Sequence, residues 1–176
     1  MADKLLQIHP TLNVPYEVEA TVISTGAGNA GDVVALDAGG KLDVSVLPTG
    51  IGPDVVVIEA SENLGAGDFV NIYESAGTVY VRLADASAPN AGEIAHGFVL
   101  NNVNSGENAT VYFEGNNDQL SGLTPGVTYA LSATNPGGVV PLSSATTTAG
   151  ESLQILGVAT STTSINVEIG KPTIRG

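Results

Sequence analysis

From residue 55 to the C-terminus, apolar and polar positions alternate in short bursts: "DVVVIEA", "GDFVNIY", "GTVYVRLAD", "IAHGFVLNNV", "NATVYFEG", "GVTYALSA", "GVVPLSS", "SLQILGVATS" and "SINVEIG". Side chains on a strand point to opposite faces in turn, so this period-two pattern, bounded each time by Gly, Pro, Asn or Ser, predicts strands rather than helices. The close spacing of so many short strands suits a barrel or sandwich and leaves no room for βαβ units. Upstream the signal thins. "YEVEATVIST" (16–25) alternates Val18, Ala20 and Val22 with Glu17, Glu19 and Thr21, and predicts one half-buried strand among Pro10, Pro15, Pro48, Pro53 and a Gly-rich bend. The expected organisation is an extended N-terminal arm and connector over residues 1–54, then one all-β barrel or sandwich over 55–176.

The body repeats itself. Gly67 opens "GDFVNIY", a turn at Gly77 follows, then "VYVRL", an Ala-rich loop, Gly97 in "AHGFVL" and a closing "VYFEG". Gly126 opens "GVTYALS", and a turn at Gly137 and Gly138, "VVPL", an Ala/Thr-rich loop, Gly157 in "ILGVAT" and "NVEIG" follow in the same order. This predicts a duplicated strand unit, with halves at about 55–115 and 120–172 paired into one closed body and residues 116–125 as the crossover.

Composition narrows the chemistry. With 22 Gly and 9 Pro the 176 residues are punctuated by turns, and with no Cys there is neither a disulfide framework nor a thiolate metal site. Eighteen acidic residues against five basic ones give a net charge of −13, which opposes nucleic-acid binding, since affinity for phosphate backbones comes largely from Lys and Arg. "MADKLLQIHP" lacks the long apolar core of a signal peptide, and no window reaches the roughly 20 apolar residues of a membrane span. The expectation is synthesis in a cytoplasm, with no membrane partner.

Motifs that suggest chemistry have plainer readings. "GAGNAG" (26–31) satisfies G-x-G-x-x-G, but Gly39 and Gly40 arrive before the helix that would present its amides to a pyrophosphate. "LTPGVTY" (123–129) matches the tyrosine turn of fibronectin type III modules, whose buried Tyr hydroxyl bonds back to the main chain; here it is read as a turn feeding a strand. His9 and His96 are the two histidines, so a triad would rest on His96 alone, which is read as an ordinary packed or exposed histidine, and 18 acids guarantee coincidental carboxylate pairs. "NNDQ" (116–119) and "LADAS" (83–87) lack calcium-loop spacing, and the Asn108 triplet has no secretory context. No residue is assigned to catalysis, a cofactor or a metal.

One segment stands apart. "GDVVALDAGGKLDVSVLP" is too broken for a helix and too apolar for a solvated linker, and it resembles a short connector that recurs in structural proteins of tailed bacteriophages. The strand-rich remainder resembles the small β-barrel decoration (cement) proteins that bind the outside of phage heads. That resemblance implies a non-enzymatic virion protein on the outer capsid surface, made in the host cytoplasm, with the major capsid protein as partner and a homotrimer as its form. A tail-fibre or receptor-binding module is the second reading. Extended, residues 1–15 would span roughly 50 Å. The expected partner-binding residues are Leu5, Leu6, Ile8, Leu12, Val14 and Tyr16 in the arm and Leu36, Leu42, Val46 and Leu47 in the connector, because ordering such a chain must be offset by burying apolar side chains.

Overall fold

A computed structural model describes residues 4–47, 54–87, 90, 92–145 and 148–176. The connector's end from Pro48 to Pro53, the side chain of Val44, and parts of the two Ala-rich loops lie outside the described residues. The chain is all-β, with several sheets and no α-helix among the described residues. It divides into two compact units, Met1–Gly52 and Pro53–Gly176.

In the first unit, β1 (Lys4–Ile8) pairs antiparallel with β2 (Pro15–Glu19), Lys4 opposite Glu19 and Ile8 opposite Pro15. The segment expected as an extended arm is therefore a hairpin. Its turn carries no Asn-Gly signal and is held by local bonds: the His9 N–H donates to the Val14 carbonyl, the Asn13 N–H donates to the His9 carbonyl, and Asn13 takes the left-handed conformation (φ 53°). The predicted strand 16–25 stops at Glu19, and beyond it Thr21 forms a lone parallel bridge with Val34.

The second unit opens with a five-stranded closed barrel: β3 (Val55–Ala60), β4 (Phe69–Ser75), β5 (Thr78–Leu83), β6 (Gly97–Phe98) and β7 (Asn108–Tyr112), in the order β3-β5-β4-β6-β7. β3 closes it, running antiparallel to β7 from Val55 to Glu59 and parallel to β5 at Glu59 and Ala60. Alternation sends Val56, Ile58, Ala60, Val70, Val81, Ala109 and Val111 into the barrel, where short aliphatic side chains suit so narrow an interior.

A second sheet is built from β8 (Gly115–Asn117), β9 (Thr128–Leu131), β10 (Val139–Pro141), β12 (Ile155–Ala159) and β13 (Ile165–Val167), in the order β10-β9-β12-β13-β8. β11 (Ser152–Leu153) pairs separately with β14 (Thr173–Ile174). The barrel read without its closing contact is β5-β4-β6-β7-β3, so corresponding strands of the two halves occupy corresponding places. The difference is closure: β3 is six residues long and reaches β5, whereas β8 is three residues long and, among the described residues, pairs with β13 alone. One closed body made by pairing the halves is therefore not the arrangement; the first half closes on itself, and the expected crossover begins inside β8.

What closes the second sheet is the outside of the first barrel. Phe69 and Phe98 neighbour inward-facing Val70 and Val99 in sequence, so they point outward, and both pack with Tyr129, Leu131, Leu156, Ile165 and Val167 in one core. Buried amides pin the junction. The Asn117 Nδ2 donates to the Gly67 carbonyl (2.8 Å). Gln154 Oε1 accepts the Ala95 N–H (2.8 Å), while its Nε2 donates to the carbonyls of Ala95 (2.9 Å) and Gly170 (3.1 Å).

Candidate functional site

The residues that sequence reasoning chose for partner binding all fall in the first unit. Leu6, Leu12 and Ile8 are 75%, 66% and 61% exposed, and Leu5, Val14, Tyr16, Leu36 and Leu42 are exposed as well; Val46 and Leu47 are half-buried. No described residue between 4 and 47 is buried, whereas every member of the hydrophobic core lies at Ala60 or beyond. Of seventeen large hydrophobic side chains exposed among the described residues, eleven are in this unit. Ile23, Val33 and Val34 are exposed as well, Val33 and Val34 within the connector expected to pack on another protein surface and Ile23 outside every expected residue. Their signal is the same: apolar residues set in a stretch too turn-rich to build a core.

Polar side chains, not apolar packing, shape this unit. At the hairpin turn His9 Nδ1 accepts the N–H groups of Thr11 and Leu12 (both 3.2 Å), and the His9 ring meets the Tyr16 ring edge-on at 5.2 Å. At the strand ends Lys4 Nζ pairs with Glu17 at 2.8 Å. Asp32 accepts from the Thr21 hydroxyl (2.7 Å) and the Asn29 amide (2.9 Å), and these bonds, Asn29's foremost, hold its carboxyl below the ordinary range. Ser45 Oγ accepts the Ser24 N–H (2.8 Å), tying the connector back to the bend. The connector's turn is an Asp37 device, in which one carboxylate oxygen accepts the N–H groups of Gly39 (2.8 Å) and Lys41 (2.9 Å). Gly40 beside it has φ 73°, which a glycine adopts without strain.

In the β body, the groups that suggested chemistry are hydrogen-bonded within the fold. His96 Nδ1 accepts the Ile72 N–H (3.0 Å), so the imidazole extends the β4–β6 pairing, and burial holds its pKa below the ordinary value. The Tyr129 hydroxyl accepts the Thr124 N–H (2.9 Å), a bond from the ring back to its own turn. Burial pushes the Asp85 carboxyl up, but hydrogen bonds from Asn90 and Ser87 outweigh it and the net shift is downward. Arg82 lies over the Tyr73 ring (4.3 Å) and pairs with Glu93 (2.9 Å). "GAGNAG" contains a 3₁₀ turn, Ala27–Asn29, with no α-helix after it among the described residues. Among the described residues no three His, Asp or Glu side chains gather where they would hold a metal, and no helix is long and apolar enough to cross a membrane. Compared with known proteins, the chain matches no family model and no curated sequence.

Proposed function

We propose that this protein is a non-enzymatic structural component of a tailed-phage virion, which attaches to the outer surface of the capsid and stabilises it by bridging neighbouring subunits of the major capsid protein. The observation that carries this reading is the first unit: eleven large apolar side chains stand exposed on a segment with no buried residue among those described. A two-stranded hairpin is marginal in water unless something packs on it. A unit of this kind is ordered by a partner, and the β body supplies the rigid part held against the shell. The charge of −13 supports an outer location, away from packaged nucleic acid.

The body in this reading is a duplicated five-strand module. Two features support it: the shared strand order, and the glycines Gly97 and Gly157, each of which sits where a side chain would strike a neighbouring strand's carbonyl, Tyr112's in one half and Asn166's in the other. The deciding experiment is a count and location of copies on purified virions by cryo-electron microscopy, with Leu6→Ser/Ile8→Ser virions alongside. Many copies spread over the head, lost in the double variant, support the proposal; a few copies at the tail move the protein to the tail-fibre class.

A further inference from the structure

The outer wall of the barrel stacks one cation on a tyrosine and sets a second tyrosine beside it. Alternation sends Val56, Ile58 and Ala60 of β3 inward, so Val57 and Glu59 face out. Residues paired in register share a face. The pairing therefore lines up Asn108 on β7, Glu59 on β3, Tyr80 on β5 and Tyr73 on β4 across the wall. On one side of this row Arg82 stands opposite Asn71, and on the other Val57 stands opposite Thr110. The Arg82 guanidinium lies over the Tyr73 ring (4.3 Å), with the Glu93 carboxylate 2.9 Å from its Nη1 and Asn71 Oδ1 accepting from its Nε (3.1 Å). One ring face and one carboxylate thus hold a cation. Tyr80 and Glu59 supply the same two elements in the next position: the Tyr80 ring is 6.1 Å from that of Tyr73, and Glu59 is its neighbour on the other side. Among the described residues no Lys or Arg of the chain pairs with either.

Charge complementarity decides what fits there. A chain with eighteen acidic and five basic residues draws positively charged surfaces toward it. Its own arginines are Arg82, already paired, and Arg175, whose Nε is buried, so the cation is another protein's. Arginine suits the pair better than lysine, because a planar guanidinium can lay its face on the Tyr80 ring while its edge donates to the Glu59 carboxylate, as Arg82 does between Tyr73 and Glu93. Val57, 61% exposed and next to Glu59 on the same face, offers apolar contact to the arginine's methylene stem. Tyr80 is half-buried against Tyr73, which Arg82 covers in turn, so the ring is ordered before a partner arrives and binding costs little side-chain entropy.

We propose that the outer wall of the barrel, centred on Tyr80 and Glu59, is a docking surface for an arginine side chain presented by a partner protein. This stands on the β body rather than on the first unit, does not rest on the capsid reading, and is tested without a virion. The probe is N-acetyl-arginine amide, titrated into the full-length protein and followed by NMR at the tyrosine rings and the Glu59 amide; N-acetyl-citrulline amide, its neutral isostere, and methyl glucoside are the comparisons. The expected result is a saturable shift at Tyr80, Tyr73 and Glu59 with arginine, about fivefold weaker binding of citrulline, and a similar loss in Glu59→Gln, as removal of one exposed charge pair implies. Tyr80→Phe keeps the ring face and should bind as the wild type does, whereas Tyr80→Leu should abolish the response at Glu59 with the melting of the body in place. No saturable shift, an equal response to citrulline, or unchanged binding by Glu59→Gln or Tyr80→Leu would each overturn the proposal, and so would a response to the glucoside instead, which would make the row a sugar platform. Arginine binding by a protein that purified virions do not carry would leave this surface standing and remove the capsid reading.

Discussion

Replacing Gln154 by Met asks whether the two halves of the body are held by one buried amide. Met fills a similar volume, so little cavity is created and the effect is mostly that of the lost polar contacts. Three bonds disappear, from the Ala95 N–H to Oε1 and from Nε2 to the carbonyls of Ala95 and Gly170. Ala95 is fully buried, so its N–H is left without an acceptor or access to water. A stranded buried donor costs about 1–3 kcal/mol, and two carbonyls that lose a donor bring the total to about 3–5 kcal/mol. Against the 5–15 kcal/mol of ordinary stability, that is a large share. Urea unfolding at neutral pH, followed by far-UV circular dichroism because the chain has no Trp, should show the midpoint fall with the slope unchanged. Gln154→Glu separates polarity from shape: at neutral pH a carboxylate oxygen faces the Ala95 carbonyl, so this variant should be weaker than Met and should recover as the pH falls and the carboxyl gains a proton. A loss below about 1 kcal/mol for Gln154→Met, or a Glu variant indifferent to pH, would refute the assignment of the amide as the pin.

Gly157→Ala sets a Cβ 2.1 Å from the Asn166 carbonyl oxygen at φ 150°, and Gly97→Ala sets one 2.6 Å from that of Tyr112; each should cost about 3 kcal/mol or more, while Gly28→Ala, with nothing within 4 Å, should leave the melting temperature nearly unchanged. Burial first, and the Glu62 charge after it, hold the Asp68 carboxyl above its ordinary value despite the Gly65 N–H it accepts, so its contribution to stability is full in acid and is lost as pH rises through the folded-state value. Asp68→Asn should therefore raise the melting temperature at pH 7 and change it little near pH 3; a lower value at pH 7 would reverse the sign of the argument. For His96 the depressed value means stability that is present above the ordinary imidazole range and lost as pH falls through the folded value, and an NMR titration should find its ring titrating below the ordinary imidazole value.

The strand content and its punctuation were legible in the sequence because they are local. Period-two alternation in "DVVVIEA" or "NATVYFEG" settles which side chains share a face, and the glycines and prolines settle where strands must stop. The matching order of motifs after Gly67 and Gly126 could be read for the same reason, and so could the apolar character of the first unit and the turn at Asp37–Gly40. Pairing was not legible. Nothing local says that β3 reaches β5 while β8 stops at β13, that Gly115–Asn117, poor in strand formers, completes the second sheet, or that Phe69 and Phe98 point out of one half to fill the other. Strand partners are selected by which faces bury most surface across distant segments, and that is a property of the assembled chain. The hairpin at residues 4–19 shows the same division on a small scale: its apolar residues were visible, but the turn that pairs them depends on His9 and Asn13 bonding to backbone that only the folded loop brings within reach.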